Sequence, residues 1–313
     1  MPYNILGINL GHNSSVTLLS DGKLTFYLEE ERLSRIKRDE NPYYLLRKIL
    51  KEYTINEIYI TDLHISSSSI ELFQKIFNNF PNIKIKYSNN QHHYTHALCA
   101  FFNSGFKEAN NIVVDYGGSI KETIQESESI FYFTQNSLPQ KKIYKSYSNI
   151  LNSQMGISKT YSTLGLMFGI DVLEGGKLMG LSSYGKKNKS LPPFFKNGKS
   201  ILELVLSHGF NYSETLLYSK LWPEAIHNYN KDLKTNTLSQ TGKDIAYKIQ
   251  QDSQEEIAKL IEIALQTNNC NNITLSGGFG LNCVNNYFLK KNFPNINFYF
   301  EPISYDGGTS MGA

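Results

Sequence analysis

Two histidines one helical turn apart are the first residues whose spacing can do chemistry. In Gln91-His92-His93-Tyr94-Thr95-His96-Ala97, followed by the apolar run LCAFF, a helix starting near His92 puts His92 and His96 on one face and turns His93 elsewhere. Two imidazoles so placed can share one metal ion, or they can cap a helix that enters the core. No Glu follows the first His, which excludes the zinc-protease arrangement. A third ligand must come from distant sequence, and a carboxylate is the obvious type. Asp306 is the best candidate: it follows the strand-like INFYFEP and precedes two glycines that open a helix. The alternative role for it is a helix N-cap, which Asp performs well.

Glycine-rich turns supply a second kind of chemistry. Ser276-Gly277-Gly278-Phe279-Gly280-Leu281-Asn282 follows the strand NITL and precedes a helix, so Gly277, Gly278 and Asn282 are candidates to meet a phosphate or ribose at a helix start. The turn has neither the P-loop pattern nor the full dinucleotide fingerprint. Two further stretches share one plan of apolar strand, polar residue, glycine and serine. ILGINLGHNSS offers Asn9 and Gly11, and NIVVDYGGS offers Asp115, Gly117 and Gly118. They read as the strand–turn loops of a duplicated fold, with a nucleotide in the cleft between two lobes.

The elements that must position these groups follow from periodicity and punctuation. Strands are expected at 3–10, 15–20, 23–29, 57–61 and 83–87, with Asp21-Gly22 as a hairpin turn, and helices at 42–53 and near 69–79. The order βββαβαβ is that of an RNase H-like lobe, placed at 1–110. A second lobe, 111–313, is expected to hold strands near 130–134 and 141–146, helices at 160–169 and 240–267, the strand ITLS, a helix at 281–291 and the strand INFYFEP. Residues 186–240 are polar and irregular and read as an insertion within that lobe.

Composition bounds the class. The 313 residues suggest two units of similar size, and no segment approaches the roughly 20 apolar residues of a membrane span. Thirty-one basic against 28 acidic side chains leave a charge of +3, too little to argue for nucleic acid or an anionic membrane surface. Cys99, Cys270 and Cys283 are scattered and read as reduced, mostly buried thiols. The start MPYNILGINL looks like a core strand and lacks signal-peptide features, which makes the cytoplasm of a microbe or an infected host the expected location.

Six segments in this order resemble the O-carbamoyltransferases of the NodU/CmcH type, relatives of the tRNA-modifying enzyme TsaD. They are GINLGHNSSVTLLSDGKLTFYLEEERLSRIKRD, HHYTHALCAFFNSGF, VVDYGG, LEGGKLMGLSSYG, SGGFGLNCVNN and EPISYDGGTSMGA. The second half of the first segment and the LEGGKLMGLSSYG segment favour the carbamoyltransferases over the tRNA enzyme. The resemblance implies an α/β, duplicated RNase H-like fold of the actin, sugar kinase and chaperone ATPase type. It further implies iron(II) or another divalent metal on His92, His96 and Asp306, and carbamoyl-adenylate, made from ATP and carbamoyl phosphate, against the glycine turns. His12 matches the family's histidine beside the carbamoyl group, Lys177 is implied to meet phosphate or else to be a solvent-exposed loop residue, and Glu174 to orient the phosphate or the acceptor. Asn13 stands where the family has Asp.

The implied reaction moves a carbamoyl group to the hydroxyl of a small molecule. A TsaD-like tRNA-modifying enzyme and a non-catalytic nucleotide- or metal-binding subunit are the alternatives. Family members continue into a YrdC-like domain that makes carbamoyl-adenylate, whereas this sequence stops at Met311-Gly312-Ala313. A fragment or split gene with a separate YrdC-like subunit is therefore expected, with no carbamoylation from carbamoyl phosphate and ATP by this chain alone.

Overall fold

Alternating apolar runs in the first 61 residues pair into one sheet. The computed structural model describes residues 2–61, 83–88, 90–136, 142–149, 155–196, 198–200, 203–205, 216–218 and 238–313. Strands β1 (Asn4–Asn9), β2 (Ser15–Ser20), β3 (Lys23–Glu29), β4 (Glu57–Thr61) and β5 (Lys84–Tyr87) lie in the order β3-β2-β1-β4-β5. The first three are antiparallel to one another in turn, while β4 and β5 run parallel to β1. Helix α1 (Glu31–Ser34) follows β3, and α2 (Tyr43–Glu52) buries Leu45, Leu46 and Ile49 at helical spacing against Leu6, Ile8, Leu18 and Ile58. The buried Glu30 carboxylate accepts from the Tyr44 and Leu45 amides and so caps α2 from outside the helix. The helix expected near 69–79 falls outside the described residues.

The second sheet repeats the first. Helix α3 (His92–Ser104) leads to β6 (Glu108–Val114), β7 (Ile120–Lys121), β8 (Ile124–Thr134) and β9 (Lys142–Asn149). Helices α4 (Ile157–Met167), α5 (Gly175–Ser182) and α6 (Gln240–Thr267) come next, interrupted by the short strands β10 (Phe195–Lys196), β11 (Lys199–Ser200), β12 (Glu203–Val205) and β13 (Leu216–Tyr218). The chain then forms β14 (Asn272–Ser276), α7 (Cys283–Asn292), β15 (Asn297–Phe300) and α8 (Thr309–Gly312). Strand pairing gives the path β9-β8-β6-β14-β15, with β6 antiparallel to β8, β8 antiparallel to β9, and β6, β14 and β15 parallel. This matches β3-β2-β1-β4-β5 strand for strand in order and direction. Strands β1 and β6 are therefore equivalent, so the turns after ILGIN and NIVV are equivalent turns.

The largest core lies between this sheet and α4, α5 and α6, where Ile245, Ile249, Ile257, Leu260 and Ile261 recur at helical spacing. Each such buried side chain contributes roughly 1.5–3 kcal/mol. Ser239 starts α6 by accepting from the Gly242 amide. Residues 186–240, expected to be an irregular insertion, carry β10 to β13 as two separate antiparallel strand pairs among the described residues. Cys99 and Cys270 are buried and Cys283 is exposed; all three are free thiols.

The last helix of each repeat lies against the other sheet. Helix α3, after β5, packs on β6, β14 and β8, and α8, after β15, packs on β1, β2 and β4. The two helices also pack on each other. Helix α8 is stitched to the first sheet by hydroxyls: Ser15 Oγ donates to Gly307 O at 2.7 Å, Thr17 and Ser310 bond at 2.8 Å, and Thr61 and Thr309 at 3.0 Å. Space there is closed, since a Cβ on Gly7 of β1 would sit 1.9 Å from the Ser310 carbonyl oxygen. Gly7→Ala is expected to push α8 off the sheet and cost about 1–3 kcal/mol, the usual range for overpacking. A melting temperature equal to that of the wild type would show that α8 does not depend on this contact.

Candidate metal and transfer site

Because α3 and α8 cross between the sheets, residues far apart in sequence meet at one place. Helix α3 begins at His92, and its 3.6-residue period sets His92 and His96 one above the other, their Nε2 atoms 3.0 Å apart. Asp306 opens the turn into α8, with Oδ1 at 3.5 Å from each of these nitrogens. Asp115, directly after β6, brings Oδ2 to 3.4 Å from His92 Nε2. The four donor atoms lie within 4.8 Å of one another, and all four residues are buried.

Metal–ligand distances of about 2.0–2.2 Å put neighbouring donors about 3.0–3.5 Å apart, which is the spacing of most of these pairs. Two imidazoles with two carboxylates suit zinc, manganese or non-haem iron, so the donor set fits a divalent ion. The Asp115 carboxylate is also held from its other side: the Gly278 amide donates to Asp115 Oδ1 at 2.7 Å and fixes it.

Electrostatics mark the same cluster. Burial pushes the His92 imidazolium pKa down, but the Asp306 and Asp115 carboxylates outweigh this, and the net shift is upward. Burial acts against both carboxylates, yet the hydrogen bond from His92 and the charge of His96 hold Asp115 well below the usual range. The charge of His92 and the hydrogen bond from His96 lower the Asp306 pKa. Burial drives the His93 pKa well down. His93 points away from the cluster and shares a 2.8 Å hydrogen bond with Ser129.

His12 sits in the turn after β1, the equivalent of the Asp115 turn. Gly11 and Asn13 on either side adopt left-handed φ values of 104° and 62°. Glycine takes this conformation freely and Asn tolerates it, so the imidazole is thrown out of the strand line. Its Nε2 lies 3.2 Å from Asp306 Oδ2 and its Nδ1 3.1 Å from Asn13 Oδ1. Asn9 is buried and donates to the Asn13 carbonyl at 3.2 Å, bracing this turn from below.

A cavity of about 890 Å³ opens over the cluster, lined among others by His12, Asp115, Asp306, Tyr116, Lys159 and Tyr161. Gly117, Gly278 and Asn282 also line it. The backbone of the glycine turns is largely engaged within the protein. Gly118 N–H donates to Glu126 O at 2.8 Å, Gly278 N–H to Asp115, and Gly277 turns the chain at φ 82°. The Asn282 side chain accepts from the Asn285 amide, starting α7, and pairs with the Gln250 amide.

Lys177 lies in the first turn of helix α5, not in a loop, and its ammonium bonds Glu174 at 2.5 Å. Lys37 approaches Glu174 to 3.8 Å. Neither Glu174 nor Lys177 lines the cavity, whereas their neighbours Leu173, Gly175 and Gly176 do.

Asp115, which the sequence assigned to a nucleotide loop, is placed by the structure among the candidate ligand atoms as well as on the cavity wall. The available signal was its position, an acid at the end of the strand equivalent to the one that delivers His12. Lys159 was missed altogether. Its one local sign is a lysine in the first turn of an otherwise uncharged helix, where the helix dipole disfavours it.

Residues 51–313 match the family described as Carbamoyltransferase N-terminus. Among curated proteins, an uncharacterized protein of Synechocystis sp. is 25% identical over 99% of this chain and 56% of its own length. Nodulation protein NolNO of Sinorhizobium fredii is 21% identical over 96% of this chain and 45% of its own. The chain thus spans about half the length of the curated relatives it matches. Among solved structures, HypF of T. kodakarensis aligns with a TM-score of 0.57 at 12% identity, covering 99% of this chain and 47% of that one. The activator of 2-hydroxyisocaproyl-CoA dehydratase from Clostridium difficile, with bound ADPNP, aligns at 0.52 and 10% identity, covering 99% and 92%. These likenesses show an actin-like ATPase fold. Among the described residues no helix is long and apolar enough to cross a membrane. With the duplicated sheet, the buried two-histidine, two-carboxylate cluster and a match over most of its length, the chain belongs to the carbamoyltransferase N-terminus family.

Proposed function

We propose that this chain transfers a carbamoyl group from carbamoyl-adenylate to the hydroxyl of a small-molecule acceptor, using a divalent ion, iron(II) by resemblance, on His92, His96, Asp115 and Asp306. The observation that carries the reading is the shared floor: His12, Asp115 and Asp306 line the cavity and also belong to, or touch, the ligand cluster. The cavity's volume lies in the range of small-ligand sites, and Tyr161, Phe279, Leu173 and Met179 give it an apolar wall suited to a nucleobase. The nucleotide analogue bound by the Clostridium activator, which has this fold, supports a nucleotide in the cleft. A YrdC-like unit, on a separate chain or on a longer form of this one, supplies the carbamoyl-adenylate.

When bound, a divalent ion supplies Lewis-acid polarisation of the donor's oxygens and a template for the reacting groups. The chain's own residues do the rest. An imidazole protonated at Nε2 donates to Asp306, which fixes the His12 ring, and Nδ1 presents its lone pair once the Asn13 side chain beside it rotates aside to admit the acceptor. That nitrogen takes the acceptor's hydroxyl proton as the oxygen attacks the carbamoyl carbon. The bond from that carbon to the phosphate oxygen breaks, and AMP leaves with the electron pair. Gly278 keeps Asp115 oriented throughout.

The test supplies pre-made carbamoyl-adenylate to metal-loaded protein and follows AMP release together with loss of the carbamoyl group to water or to a panel of polyols. Release faster than the spontaneous rate, and abolished by chelation, is the expected result. Release at the spontaneous rate with and without metal would overturn the reading.

A further inference from the structure

The cavity holds one cation whose surroundings nothing in the proposed transfer explains. Lys159, in the first turn of α4, is 6% exposed and lines the cavity. Its Nζ lies 5.5 Å from the centre of the Tyr116 ring, and no carboxylate among the described residues comes within ion-pair distance of it. The neighbouring segment 150–154, ILNSQ, contains no acid. Burial depresses the Lys159 pKa. A buried ammonium without a counter-charge is costly, and a single ring face offsets only part of that cost. Such a group persists where a ligand brings the missing anion.

The rest of the cavity points to the same anion. Two glycine amides of the turns are already engaged, Gly118 with Glu126 and Gly278 with Asp115. Arg38, the other cation lining the cavity, donates to the Leu173 carbonyl at 3.1 Å and lies 3.6 Å from Asp171. That leaves Lys159 as the cavity cation with no anionic partner among the described residues.

We propose that Lys159 recognises the phosphate of the nucleotide moiety bound in this cavity, so that the site discriminates a nucleoside monophosphate from its nucleoside. The identity of the phosphate's bearer rests on the adenylate reading above; the need for an anion at Lys159 does not. The ammonium donates to a phosphate oxygen while the Tyr116 ring holds the lysine stem and shields it from water.

The experiment is calorimetric titration of metal-loaded wild type, Lys159→Met and Lys159→Arg with AMP and with adenosine, together with thermal unfolding of the ligand-free proteins. Wild type is expected to bind AMP roughly ten- to a hundredfold more tightly than adenosine, the range for a hydrogen bond to a charged group. Lys159→Met should lose that preference with adenosine affinity unchanged, and Lys159→Arg should keep part of it. Ligand-free Lys159→Met should melt at the same temperature as wild type or higher, because methionine fills the space without a buried charge. An AMP preference intact in Lys159→Met would overturn the proposal and leave the adenylate reading standing. A lower melting temperature with loss of adenosine binding would also overturn it, by making the lysine structural. If neither compound binds wild type, the adenylate reading fails, and inorganic phosphate tests Lys159 alone. Stabilisation of wild type but not of Lys159→Met then upholds the lysine's role, and stabilisation of both or of neither ends it.

Discussion

Replacing His92 and His96 together by Ala is expected to leave about one-tenth or less of the divalent ion bound by wild type, measured by elemental analysis after equilibration with iron(II) or zinc. Both nitrogens point at one position between two carboxylates, and two carboxylates alone hold a transition metal weakly against water. Asp115→Asn is expected to lower the affinity as well, because an amide oxygen carries no charge and the carboxylate is already oriented by Gly278.

The binding is also expected to depend on pH with a definite sign. The metal-free His92 pKa is raised, so a proton must leave for the ion to enter. Affinity should therefore fall as the pH drops through that raised value, beginning above the ordinary histidine pKa of 6.5. Unchanged metal content in the double-histidine variant, or a pH-independent affinity, would remove the cluster from consideration as a metal site.

His12→Asn is expected to slow carbamoyl transfer by roughly a hundredfold or more while leaving the fold and the metal content at saturation intact. The imidazole touches Asp306 Oδ2, whereas Asp306 faces His92 and His96 through Oδ1. Losing His12 thus strips an orienting contact and a proton acceptor without removing a ligand. The His12 side chain is 39% exposed and lines the cavity, so a surface role would leave transfer untouched. The assay measures the decay of pre-made carbamoyl-adenylate by metal-saturated protein. Rates within a few-fold of wild type would assign His12 to structure and leave the acceptor's proton to another base.

These expectations rest on groups that were unequally visible in the sequence. His92 and His96 could be paired from spacing alone, since the 3.6-residue period fixes which side chains share a face once a helix is granted. The hairpin at Asp21-Gly22 and the long helix from 240 to 267 were equally legible, because local turn chemistry and periodicity decide them. The duplication showed as two similar strand–turn segments, and the sheets repeat its order strand for strand.

Less could be read where a residue's role depends on what crosses over from the other repeat. Lys177 and Glu174 stand in a segment that resembles the family's, yet they bond each other because a short helix brings them within reach at a spacing of three. The glycines of both turns suggested phosphate binding, and two of their amides, those of Gly118 and Gly278, serve Glu126 and Asp115.

By itself the sequence determined the local elements, the repeated plan of the two sheets and the pairing of two histidines on one helical face, because those depend on neighbours within a few residues. Only the tertiary structure decided that Asp115 and Asp306 close the cluster, that His12 reaches Asp306, and that Lys159 is buried with no acid beside it among the described residues. Those contacts join positions up to 294 residues apart, His12 to Asp306, and exist because α3 and α8 each cover the other repeat's sheet. No local pattern encodes that exchange. It follows from close packing at Gly7 and from the hydroxyls that stitch α8 to the first sheet.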